Sequence, residues 1–211
     1  MGDRVRFGRT ALGVIGAGAM LLALAGCGAP PWAQGGGSTA PAPVPSASVV
    51  PVPAPIPNDL SSGSTEKSVT AGAIAATVNY WSTLPMDRWS PTALKPVSIS
   101  MVTTVTPDDG QKVYLQRATM TAVPGNATQS FSPLAPQTDQ ANPPGYLVLS
   151  PYSYSQTFNV GEVPAEATFV TLQFTYEFLL QTTPTSSEFA KQTASETITV
   201  AIAGAAATPA D

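Results

Sequence analysis

Residues 168–181 alternate without a break. Val170, Leu172, Phe174, Tyr176, Phe178 and Leu180 fall on one side, and Thr171, Gln173, Thr175 and Glu177 on the other. A period of two marks a strand with one buried and one wet face, whereas the 3.6-residue period of a helix mixes the two sets. A strand this long cannot stand alone, because its apolar face needs a second layer to cover it. The whole stretch from about residue 66 to 204 is rich in Val, Thr, Tyr and Phe, and weaker versions of the same pattern recur along it.

Val97, Ile99 and Met101 alternate with serines, after which Val102 and Val105 shift the pattern, a change read as a bulge. Pro107-Asp108-Asp109-Gly110 reads as a turn, with residues 113–123 returning as the second arm of a hairpin. Residues 69–81 read as a first strand weakened by Ala73, Ala75 and Ala76. Residues 146–160 read as two short strands broken at Pro151, and residues 197–203 as the last strand. The segment 124–145, with Phe131 and Leu134 as its only bulky apolar groups, reads as a loop that is either functional or disordered, unless a short strand near residues 129–131 divides it. About seven strands, proline-rich connections and no long 3.6-residue pattern predict an all-β fold, an antiparallel β-sandwich. It resembles immunoglobulin-like modules in arrangement only, since the Cys…Trp…Cys core of antibody domains is absent.

Composition narrows the chemistry. The chain has no histidine and one cysteine, which excludes Ser-His-Asp triads, Cys-His dyads, histidine-held metals and internal disulfides. Carboxylate pairs remain, with Glu162, Glu166 and Glu177 as candidates, but nothing in their spacing holds two in one cleft. Lys67, Lys95, Lys112 and Lys191 read as surface residues, and no Ser-x-x-Lys motif accompanies them. Asp108-Asp109-Gly110 lacks the spaced ligands of a calcium loop and reads as a turn former. Asn126-Ala127-Thr128 matches a glycosylation sequon and is read as a chance match. No catalytic residue, metal or cofactor is therefore expected. The aromatic residues offer a binding surface instead, with Trp81, Trp89, Phe131, Tyr152 and Tyr154 as its candidates, set against their more common use in a core.

The amino terminus carries a different kind of signal. Arg4, Arg6 and Arg9 precede an uncharged apolar stretch, residues 11–26, which as a helix spans about 24 Å and is too short to cross a bilayer. That arrangement reads as an export signal of the general secretory type, since the arginines are not paired. Leu24-Ala25-Gly26-Cys27 then resembles the lipobox of bacterial lipoproteins. The resemblance implies cleavage between Gly26 and Cys27, a thioether-linked diacylglycerol on Cys27, and acylation of the new amino group. Two or more acyl chains hold a protein stably at a membrane, where one is marginal. Composition rich in Ala, Pro and Thr and poor in Lys makes the chain similar to small envelope lipoproteins of the actinobacterial, mycobacterial type.

Removing residues 1–26 leaves side chains that sum to −6, so neither nucleic acid nor anionic lipid has a basic patch to bind. Residues 28–60 hold nine prolines, many in Pro-x-Pro alternation, which favours polyproline II and cannot build a core. The expected organisation is a cleaved signal (1–26), a lipidated Cys27 with a disordered linker (27–60), a sandwich domain (61–204) and a disordered tail (205–211). The expected function is that of a non-enzymatic, membrane-anchored envelope lipoprotein on the extracytoplasmic face, binding a protein or glycan partner. The competing expectations are a carrier of a lipid or other apolar ligand and, last, a carboxylate- or serine-dependent hydrolase.

Overall fold

The computed structural model describes residues 55–204. The residues read as an export signal, Gly26, Cys27, most of those read as a linker, and the tail 205–211 lie outside the described residues. Among the described residues nine strands form two antiparallel sheets: β1 (Ser64–Ala71), β2 (Ile74–Trp81), β3 (Lys95–Val105), β4 (Val113–Gly125), β5 (Gln137–Gln140), β6 (Tyr146–Leu147), β7 (Tyr154–Val160), β8 (Phe169–Gln181) and β9 (Phe189–Ala201). One sheet has the order β1-β2-β3-β7 and the other β5-β4-β8-β9, with β6 also pairing β4. The protein is an all-β sandwich.

The alternation of β8 is realised as expected. Val170, Leu172, Phe174, Tyr176 and Phe178 are fully buried, and Leu180 packs at the rim of the core. From the facing sheet come Val78, Tyr80, Val97, Ile99, Met101 and Phe158. Aromatic rings fill the middle: Phe174 lies 5.0 Å from Tyr80, 5.9 Å from Phe158 and 6.1 Å from Tyr176. The hydroxyls of Tyr80 and Tyr176 hydrogen-bond across the sheets at 3.0 Å, which satisfies two polar groups that burial would otherwise leave costly.

Several expectations are corrected. Residues 69–81 are two strands rather than one. Gly72, at φ +57°, turns the chain between β1 and β2 in a conformation glycine adopts without a Cβ penalty. The pattern shift after Met101 is no bulge: β3 keeps register with β2, and Thr103 takes the inward position with its hydroxyl donating to Val148 O at 3.1 Å. The bulge lies in β4 between Leu115 and Arg117.

Residues 107–110 do turn the chain, but β3 and β4 form no hairpin. The turn carries the chain from one sheet to the other, so the apolar faces of β3 and β4 belong to opposite layers of the core. The last strand begins at Phe189, because pairing with β8 outweighs the weak pattern of Lys191, Gln192 and Thr193. In the loop 124–145 the short strand suggested near residues 129–131 is reduced to a single bridge between Ser130 and Gly125, and the strand of this segment is β5. The linker gives way to structure before residue 60: Leu60 is buried, and Asp59 N donates to Thr199 O at 2.8 Å.

The strand directions place Trp81, Lys95, Gly125, Val160, Phe169 and Ala201 at one end of the sandwich. Residues 55–57 enter, and Gly204 leaves, at that same end.

Candidate functional site

At the end where residues 55–57 enter, an apolar cleft of about 380 Å³ opens between the two sheets. Its floor is Met120 and Ala122 of β4. Leu134 and Ala135 form one wall, held against β4 by the bond from Leu134 N to Ala122 O at 2.8 Å. The opposite wall is the end of β7 and the residues after it, Asn159, Gly161 and Glu162. Gln137 ties the walls together: its side-chain amide donates to Asn159 O, and its Oε1 accepts from Asn159 N at 3.0 Å. On the rim stands Leu94, 65% exposed and the most exposed large hydrophobic residue among those described.

Leu94 is exposed because its neighbour is buried. Adjacent residues of an extended chain point to opposite sides, and Lys95 is fully inside. Its ammonium donates to three main-chain carbonyls, Ser90 O at 3.1 Å, Pro91 O at 3.4 Å and Ala93 O at 2.6 Å. The loop before β3 therefore curls around a charge, and the reading of Lys95 as a surface residue is overturned. Burial pushes its pKa below the ordinary lysine value, with the nearby Glu162 carboxylate opposing the shift. Trp89 is fixed within the same loop, its Nε1 donating to Ser82 Oγ at 3.3 Å while Ser82 Oγ donates to Pro96 O at 2.6 Å. A second apolar recess, about 270 Å³, lies beside the first chain segment described, between Pro55, Ile56 and Pro57 and the side chains of Ala127, Thr168 and Phe169.

The five aromatic candidates do not form one surface. Trp89 is fully buried and Tyr154 is 5% exposed, so both serve the core. Trp81 is half-buried at the end of β2, and Phe131 is half-buried where its amide bonds Pro124 O at 2.9 Å. Only Tyr152 stands out, 57% exposed. The Tyr154 hydroxyl donates to Asp139 Oδ2 at 2.7 Å, and burial together with that carboxylate raises its pKa. Tyr146 packs its ring 5.3 Å from that of Tyr154. Burial also raises the pKa of Tyr80 and, more strongly, of Tyr176, each beside the other.

The remaining candidates have local explanations. Asp108 Oδ1 accepts from Gly110 N at 3.0 Å, and Gln111 closes the same turn through Asp109 N and Pro107 O. Asn126 Oδ1 accepts from the amides of Thr128 and Gln129, which makes the sequon a turn. Glu177, on the outer face of β8, is held by Arg117 at 3.4 Å and Lys191 at 2.8 Å. Glu162 and Glu166 are exposed. Among the described residues no group of three or more His, Cys, Asp or Glu converges as metal ligands would, and no helix is long and apolar enough to cross a membrane.

Sequence reasoning missed Leu94, Leu134, Gln137 and Asn159 as a group, because they come from three distant parts of the chain: the loop before β3, the segment leading into β5, and the end of β7. No family model, curated protein or solved structure matches the chain. What fold and cleft define together is a class, an antiparallel β-sandwich with an apolar cleft at the end where residues 55–57 enter.

Proposed function

We propose that the protein is an exported, lipid-anchored envelope protein whose sandwich is a non-catalytic binding module for a protein or glycan partner. The anchor rests on Leu24-Ala25-Gly26-Cys27, placed directly after a basic and apolar export segment. The binding role rests on one observation: Leu94 stands 65% exposed over an apolar cleft floored by Met120 and Ala122. Isolated exposed leucines are ordinary, but one that rims a concave apolar surface marks the usual form of a recognition site. Asn159 and Glu162 supply the polar groups that give such a site direction, while Gln137 holds the walls.

A second reading, a carrier for an apolar ligand, is favoured by the size and lining of the same cleft. Against it stands the packing between the sheets, where Tyr80, Phe158, Phe174 and Tyr176 occupy the space an enclosed acyl chain needs. Capture from detergent-solubilised envelope separates the readings, using the native protein and a Leu94→Asp variant. A partner retained by the native protein and lost by the variant supports the binding module. Lipid copurifying in stoichiometric amount supports the carrier. Equal capture by both chains removes the cleft from the account.

A further inference from the structure

The four sheet edges are not protected alike. β7 is tied to the start of β5 through Gln137 and Asn159, and β5 and β6 are short. β1 carries Glu66 beside Lys67, and the Lys67 ammonium, on the inner side opposite Val78, is held by Asp59 of the preceding segment at 3.2 Å. Charges placed this way oppose pairing with a further strand. β9 is different.

Alternate residues of an antiparallel strand bond to a given neighbour. Thr182 N donates to Glu188 O and Ile202 N to Thr168 O, which fixes the even-numbered residues of β9 toward β8. The odd-numbered residues turn their amides and carbonyls to the free edge. In the second half of the strand that edge is covered. Thr199 exchanges bonds with Asp59, Ala203 N donates to Trp89 O, and Thr197 N donates to the Glu196 carboxylate. In the first half, Phe189, Lys191, Thr193 and Ser195 have no hydrogen-bond partner for these main-chain groups among the described residues.

We propose that two copies of this chain pair through that open half, β9 antiparallel to β9 of the second copy, about a two-fold axis at Gln192. This register sets Phe189 opposite Ser195 and Lys191 opposite Thr193, so every open group on each copy meets one on the other. Thr197 then falls opposite residue 187, beyond the strand, and pairing stops where the covered half begins. An axis at residue 193 or 194 would have to displace the Glu196 or Asp59 contacts. An axis at 191 leaves Ser195 unmatched. The only charged side chain in the stretch, Lys191, is drawn back over β8 by Glu177 at 2.8 Å, a carboxylate it shares with Arg117, and Ala190 and Ala194 are small enough for close approach. At each end Glu196 meets Glu188 of the second copy, which makes the association tighten with added salt.

The test uses the exported Cys27→Ala chain. Gln192→Cys places two thiols at a non-hydrogen-bonded pair with Cα atoms about 4.5 Å apart, within disulfide reach. Mild oxidation should link this variant into a dimer and leave Thr197→Cys unlinked. Sedimentation of the parent chain should show a dimer that tightens with salt. Thr193→Pro, which removes an outward amide and no β8 bond, should give a folded monomer by sedimentation and circular dichroism. A parent chain that stays monomeric overturns the proposal. So does a dimer that survives Thr193→Pro in folded form, or one that links equally at 192 and 197.

Discussion

Phe174 offers the most searching test of the core. Its ring is fully buried and lies within aromatic contact of Tyr80, Phe158 and Tyr176, so one side chain joins both sheets. Truncation to alanine removes a buried aromatic group and leaves a cavity, a loss of about 3–5 kcal/mol. Each aromatic pair adds about 0.5–1.5 kcal/mol beyond burial, which puts Phe174 at the upper end of that range. A typical domain is stable by about 5–15 kcal/mol in total, so Phe174→Ala should leave the fold marginal. Thr175, one residue on, points to the outer face between Thr119 and Ser195 and is only half-buried. Thr175→Ala should cost below about 1 kcal/mol. Urea denaturation of both variants, followed by tryptophan fluorescence, measures the two losses with one assay. Equal losses at 174 and 175 would refute the two-faced strand and the sandwich built on it.

Other expectations follow from single contacts. Lys95→Met leaves the carbonyls of Ser90, Pro91 and Ala93 without their donor, and an unsatisfied buried group costs about 1–3 kcal/mol. Limited proteolysis should then open the 82–94 loop, and an unchanged digest would contradict the ammonium's role. Tyr80, Tyr154 and Tyr176 have folded pKa values raised above their ordinary ones, so the unfolded chain releases these protons first, near pH 10. Their contribution is complete below pH 10 and is lost as pH rises above it. Lys95, with its lowered value, acts in the opposite sense but is one group against three. Thermal melts should therefore fall steeply above pH 10, and a flat profile would show that these hydroxyls are not buried. Proteolysis of the protein should leave a resistant fragment that still contains Asn58, Asp59 and Leu60, because Asp59 is bonded and Leu60 is buried. Trimming to residue 64 without loss of stability would remove them from the domain.

How much of this was legible in the sequence depends on which force acts on each segment. Where a strand has one wet and one buried face, as in β8, its burial is written in its own alternation. β3 hid its regularity because Thr103 sits inward and satisfies its hydroxyl on Val148 O, a contact set by a segment 45 residues away. β5 and the first half of β9 are polar, and pairing with β4 and β8 rather than any local preference makes them strands. The candidate cleft was hidden for a related reason: its walls come from distant parts of the chain, and Leu94 looks ordinary until Lys95 is seen to be inside. Trp89 and Tyr154 misled because aromatic side chains serve cores and surfaces alike, and it is their burial, with polar atoms satisfied on Ser82 and Asp139, that assigns them to the core.

The account turns on Cys27. Mass spectrometry of the native protein's amino-terminal peptide, combined with membrane fractionation of the Cys27→Ala variant, tests it directly. The account predicts a peptide that begins at Cys27 and carries a diacylglycerol. It also predicts a variant that leaves the membrane fraction or accumulates as uncleaved precursor. A native chain with an unmodified Cys27, or a processed Cys27→Ala chain that stays fully membrane-bound, would contradict it.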